Sequence, residues 1–139
     1  MTIKPETLSD LITRGEVAQV SQALNADPSL VSATTADGDT PLHIACWQKQ
    51  LAIIGTLVSF GPDLNARGCY GRTPLHYAVH EGRQISVPIV SLLLSLGADP
   101  TLKDDNGFSV ADWARVEMHE GLADVLALLQ QRLGPQSKP

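Results

Sequence analysis

The sequence predicts an all-α solenoid of stacked helix-turn-helix units, each opened by a β-turn. Three observations carry that prediction. The hexapeptide Thr40-Pro41-Leu42-His43-Ile44-Ala45 returns as Thr73-Pro74-Leu75-His76-Tyr77-Ala78, 33 residues further on. Each copy is preceded by a glycine turn and followed by an apolar segment of helical period that ends in glycine. Self-similarity at this spacing marks a supersecondary unit stacked on copies of itself, each touching only its neighbours.

The elements follow in order. The first unit lacks the hexapeptide but keeps its pattern. Leu8, Leu11 and Ile12 predict one helix, Gly15 breaks it, and Val17, Val20, Ala23 and Leu24 predict another. In the second unit Gly38 supplies the positive φ of a tight turn. Thr40 is a natural N-cap, and Pro41 takes the first helical position, where its missing N–H is no loss. Leu42, Ile44, Ala45 and Cys46 then form the buried part of a short inner helix. Ile53-Ile54 and Leu57-Val58 give the following helix one apolar face. Gly61 stops it, and Pro62-Asp63-Leu64-Asn65-Ala66 leads to the next turn at Gly71.

The third unit repeats this through Gly71, Thr73 and Pro74, then Ile89-Val90 and Leu93-Leu94, and closes on Gly97-Ala98-Asp99. The fourth is degenerate: Gly107, Ser109-Val110-Ala111-Asp112-Trp113-Ala114, then Val125-Leu126 and Leu128-Leu129. Degenerate ends suit capping units, which must show water a polar face. We therefore expect one domain over residues 1–133, with units at about 1–34, 35–67, 68–103 and 104–133. Residues 134–139 are expected to form a flexible tail.

On the two hexapeptides, Leu64-Asn65-Ala66 and Gly97-Ala98-Asp99, the chain resembles the ankyrin-repeat family over about residues 5–133. The resemblance implies β-turn or hairpin-like loops projecting to one side, and a concave face built of loop tips and inner helices, used to bind other proteins without catalysis. It implies that His43 and His76 hold the loop–helix junction, and that Asn65 braces a loop.

Two departures from the repeat stand out. Thr40 precedes the Ile53-Ile54 pair by 13 residues, whereas Thr73 precedes Ile89-Val90, and Ser109 precedes Val125-Leu126, by 16. The shared excess is close to one helical turn. It either extends the inner helix or lengthens the inter-helix loop, as Ser86 and Pro88 would allow in the third unit. The second departure is Lys49, where the family usually ends the inner helix with glycine. A left-handed backbone there would cost on the order of 1 kcal/mol.

Composition narrows the function classes. The chain has 139 residues, a formal charge of -5 and 18% charged residues, without the clustered basic face of a nucleic-acid binder. Its start has no apolar run or cleavage site, and no apolar stretch is long enough to span a bilayer. Cys46 and Cys69 suggest no disulfide framework, and free thiols in a cytoplasmic protein fit them best. We expect a cytoplasmic monomer that uses no cofactor, binds no metal and touches neither membrane nor nucleic acid.

Catalytic signatures fail where they begin. His80-Glu81 and His119-Glu120 start like a zinc-protease helix, but the required second histidine is replaced by Gln84 and Ala123. Asp104-Asp105-Asn106-Gly107 is read as a turn, because no bidentate Glu follows at calcium-loop distance. Phosphate loops and nucleophile elbows are absent from the sequence. Cys69 at a loop tip, with Arg67 and Arg72 near in sequence, is the one thiol placed to react. No catalytic residue is assigned.

Partner-binding positions follow from the family register. They are Ala36, Asp37, Asp39, Trp47 and Gln48 in the first interior unit, then Cys69, Tyr70, Arg72, His80 and Glu81. In the last unit they are Asp105, Asn106, Phe108, Val116 and Glu117. Only six residues are Phe, Trp or Tyr, and Trp47, Tyr70 and Phe108 all fall on these positions. Aromatics and arginine are the common anchors of interfaces. Packing between neighbouring loops is the competing role, with Trp47 covering Leu51 of its own unit. Phe60, Tyr77 and Trp113 are assigned to packing. Asp37, Asp39, Asp104 and Asp105 make the loop edge acidic, which suits a basic patch on a partner. The expected function is a non-catalytic interaction module that regulates or scaffolds a protein. The alternative is a dedicated inhibitor or immunity-type protein that neutralises an enzyme or toxin.

Overall fold

Capping chemistry sets where the helices begin. The computed structural model describes residues 5–79, 86–117, 127–129 and 131. Among these, α1 spans Pro5–Arg14 and α2 Val17–Ala26, separated by Gly15 at φ 77°. Helix α3 covers Pro41–Trp47, α4 Leu51–Val58, α5 Pro74–Val79, α6 Val87–Ser95 and α7 Val110–Glu117. No strand occurs among the described residues. Nor is any helix there long and apolar enough to cross a membrane.

Each hexapeptide closes a reciprocal cap. The Thr40 hydroxyl accepts from the His43 N–H at 3.3 Å, and His43 Nδ1 accepts from the Thr40 N–H at 3.1 Å. Thr73 and His76 repeat the pair at 3.3 and 3.1 Å. Such a cap contributes about 1 kcal/mol. Ser109 and Asp112 build the same device at α7 without a histidine, at 3.3 and 2.9 Å.

The same histidines tie one unit to the next. Because Nδ1 accepts, Nε2 carries the proton, and it donates to the Arg72 carbonyl from His43 (2.8 Å) and to the Phe108 carbonyl from His76 (2.9 Å). Burial lowers the pKa of both rings, which keeps them neutral. Asn65 braces as expected: its Oδ1 accepts from the Asp99 N–H at 2.9 Å, one unit on.

Helices α1, α3, α5 and α7 contact one another in sequence, forming an inner row. Helix α2 packs on α1 and α4, and α6 on α5, as the outer layer. Leu8, Ile12, Leu24, Leu42, Ile53, Ile54, Leu57, Leu75, Ile89 and Leu93 fill the core between the rows. A 3-10 turn over Pro28–Ser32, which the sequence pattern did not reveal, adds Leu30 and Val31 to it.

Lys49 is left-handed, at φ 58°. Its ammonium offsets the strain by donating to the carbonyls of Tyr77 (3.1 Å) and Cys46 (3.4 Å), at the C-terminal end of α3. The lengthening after the second hexapeptide is also located. The Ser86 N–H bonds the Ala78 carbonyl just as the Gln50 N–H bonds that of Ala45, so the extra residues fall between Val79 and Ser86. Residues 80–85 lie outside the described part. In the last unit α7 is still helical at Glu117, the register position at which α3 has ended on Gln48. The Val125-Leu126 pair and the 134–139 tail lie outside the described residues as well.

Two expectations need correction. Ile44 is only half-buried, since its helix turns that face to the concave side. Asp104 is not part of an acidic edge: it is 5% exposed. Its carboxylate accepts from Trp113 Nε1 (2.7 Å) and from the N–H groups of Phe108 (3.0 Å) and Asn106 (2.9 Å). Burial pushes its carboxyl pKa up, but these donors outweigh that and hold it below the usual range. Trp47 contacts the Tyr77 ring of the next unit edge-on at 5.2 Å, a packing contact across the repeat boundary.

Candidate protein-binding cleft

The inner row and the loop tips enclose an open cleft of about 330 Å³. Asp37, Asp39, Trp47, Gln48, Tyr70 and Arg72, all placed at partner-facing positions from the sequence, line it together. Ile44, Cys69 and Tyr77 complete the wall. Ile44 and Tyr77 carried a core signal, and nothing in their apolar character distinguishes one exposed edge from none.

Tyr77 organises the floor. It is 5% exposed, its ring meets His43 edge-on at 5.3 Å, and its hydroxyl donates to both Asp39 oxygens at 3.0 and 3.2 Å. Burial and the Asp39 carboxylate push its phenol pKa upward, so it remains a donor. Asp39 Oδ1 also accepts from the Cys69 N–H at 2.9 Å. One carboxylate thus joins two successive loops and an inner helix. Gly68 allows this approach, because a Cβ there would collide with the Asp39 carboxylate and the His43 ring.

Tyr70 forms the tip. Its backbone is left-handed at φ 59°, ψ 25°, and Gly71 follows at φ 69°. In the flanking loops only the glycines, Gly38 and Gly107, have positive φ at the tip. The Tyr70 carbonyl accepts from the Asp105 N–H at 2.9 Å, and the Arg72 guanidinium lies 5.1 Å from the Tyr70 ring. That guanidinium is also 5.3 Å from the Trp113 ring. The Tyr70 side chain stays 63% exposed, and Trp47 is 37% exposed.

The other sequence-derived positions separate from the cleft. Asp105 and Asn106 are exposed at the next loop tip, and Phe108 is 38% exposed while packing edge-on against Trp113 at 5.2 Å. Glu117 ends the described part of α7, its side chain outside the described set. His80 and Glu81 lie outside the described residues. Cys69 is half-buried; Arg67, expected beside it, donates to the Gly71 and Lys103 carbonyls at 3.2 and 2.5 Å. Burial raises the Cys46 thiol to about 12, as befits a core cysteine.

Comparison with known proteins gives the same architecture. The family model described as ankyrin repeats (three copies) matches residues 8–104. An ADP-ribosylation factor GTPase-activating protein of Arabidopsis thaliana is 39% identical over 77 residues, 55% of this chain and 10% of its own length. Ankyrin repeat and SAM domain-containing protein 6 of Rattus norvegicus is 31% identical over 120 residues, 80% of this chain and 13% of its own length. A putative E3 ubiquitin-protein ligase of Arabidopsis thaliana is 30% identical over 133 residues, covering 94% of this chain and 27% of that protein. The chain therefore spans about a quarter or less of these relatives' lengths. With stacked inner and outer helices, histidine-capped junctions and that match, the chain belongs to the ankyrin-repeat family.

Proposed function

We propose that the chain is a non-catalytic interaction module that binds a protein partner through the cleft between Trp47 and Tyr70, and so regulates or scaffolds it. Ankyrin repeats are protein–protein interaction modules, and the cleft gathers the aromatic and arginine anchors that such surfaces use.

Tyr70 carries the reading. A left-handed backbone costs a residue with a Cβ about 1 kcal/mol, and here that cost supports an aromatic ring left mostly in water. Stability alone would favour Asn or Gly at that position. Strain combined with an exposed anchor is what selection for contact produces.

Site-specific photo-crosslinking tests this. A benzoylphenylalanine in place of Tyr70 is expected to capture a discrete protein in the native lysate. The same probe in place of Leu96, which is 45% exposed and ends the outer helix α6, should not. Capture at Leu96 with none at Tyr70 would move the binding surface to the outer layer and refute the proposal.

A further inference from the structure

The chemistry of the cleft selects its ligand. Among the described residues, no hydrogen bond or ion pair engages the exposed Asp37 carboxylate. Asp39 receives only neutral donors, the Cys69 N–H and the Tyr77 hydroxyl, so its charge is not compensated by contact. Among the described residues Arg72 is the cation of the lining, and its guanidinium is held near the rings of Tyr70 and Trp113. The described lining thus holds two carboxylates and one guanidinium, beside the exposed ring of Tyr70 and the partly exposed ring of Trp47.

Each class of incoming side chain meets a different response. An anion would face the two carboxylates. An apolar side chain would strip water from Asp37 and leave its charge unpaired, which is costly. A cation is repelled by the one guanidinium of the described lining but attracted by its two carboxylates, and gains further from the aromatic rings. Arginine suits the site better than lysine, because its planar group stacks on a ring while donating in a fork to a carboxylate.

We infer that the cleft receives a cationic side chain, arginine foremost, presented by an extended segment of the partner protein. This rests on the docking role proposed above and specifies what docks. The flanking backbone of that segment crosses the loop tips, where Asp105 adds a further exposed carboxylate.

The test selects ligands from a random peptide library displayed on phage and maps them by amide chemical shifts. Ligands that shift Gln48, Cys69 and Tyr70 are expected to carry an arginine or lysine. Replacing that arginine by citrulline, which keeps the shape and removes the charge, should weaken binding at least tenfold. Asp37→Asn should weaken the same ligands about tenfold, with the spectrum of the free protein otherwise unchanged, because the bond Asp37 makes to the Thr35 hydroxyl comes from its backbone N–H and not from the carboxylate. Higher salt should weaken them too. Cleft ligands without a cation, or ones indifferent to citrulline, overturn the inference while leaving the docking role intact. Ligands that map only to the outer helices, or a selection that yields none for the cleft, count against both.

Discussion

Lys49 offers a sharp test of how this chain tolerates a residue the repeat pattern disfavours. Its backbone is left-handed at φ 58°, a conformation that costs about 1 kcal/mol for any residue with a Cβ. Against that, its ammonium donates to the Tyr77 carbonyl at 3.1 Å and more weakly to the Cys46 carbonyl at 3.4 Å. A charged hydrogen bond at a half-buried site, together with the helix dipole at the end of α3, is worth about 1.5–2 kcal/mol. Lys49→Ala keeps the strain and loses the ammonium, so it should destabilise by about 1.5–2 kcal/mol. Lys49→Gly loses the ammonium but relieves the strain, leaving a net loss of about 0.5–1 kcal/mol. The two variants should therefore differ by about 1 kcal/mol, or roughly 3–5 °C in Tm for a chain of this size. Urea unfolding followed by far-ultraviolet circular dichroism measures both. Equal stability of the Ala and Gly variants would refute the strain argument. A Gly variant more stable than the parent would refute the ammonium's role.

Other outcomes follow from the same geometry. Asp104→Ala removes the acceptor of three hydrogen bonds at a buried site and should cost about 2–3 kcal/mol, with a shift in Trp113 emission; a loss under about 0.5 kcal/mol would contradict it. Gly68→Ala drives a methyl into the Asp39 carboxylate and the His43 ring, and should cost about 2 kcal/mol by denaturant unfolding. The pKa values of His43 and His76 are lowered from 6.5 by burial, so below that pH the unfolded chain binds more protons than the folded one. Their contribution is complete above about pH 6.5 and is lost as the pH falls, by up to about 1.4 kcal/mol per pH unit for each ring. Urea midpoints at about pH 7.5 and about pH 5.5 should show that decline before the carboxylates titrate, and a flat profile would contradict it.

Much of the fold was legible because capping and turn chemistry are local. Thr40-Pro41 and Thr73-Pro74 announce helix starts by side-chain type alone, and the Lys49 backbone followed from the glycine it displaces. Asp104 was misjudged for the opposite reason. Asp104-Asp105-Asn106-Gly107 reads as an exposed turn, and the burial of Asp104 depends on Trp113 reaching back across the loop. The short turn at Pro28–Ser32 was hidden because Asp27 and Pro28 signal a loop equally well. The register put Trp47, Tyr70, Arg72 and Asp37 on one side, but not into one cleft. That convergence needed Tyr77, which looked like ordinary core and proved to tie the loops together through Asp39. The strain at Tyr70 was illegible, since Gly71 beside it was sufficient to supply a positive φ.

The proposed partner-binding surface is the Trp47–Tyr70 cleft. It is tested most directly by titrating the photo-captured partner against Tyr70→Asn and Leu96→Asn. Asparagine tolerates the left-handed backbone, so Tyr70→Asn should fold with stability within about 0.5 kcal/mol of the parent. Binding should be at least about tenfold weaker for Tyr70→Asn and unchanged for Leu96→Asn. Full affinity in Tyr70→Asn, with the loss falling on Leu96→Asn, would contradict it.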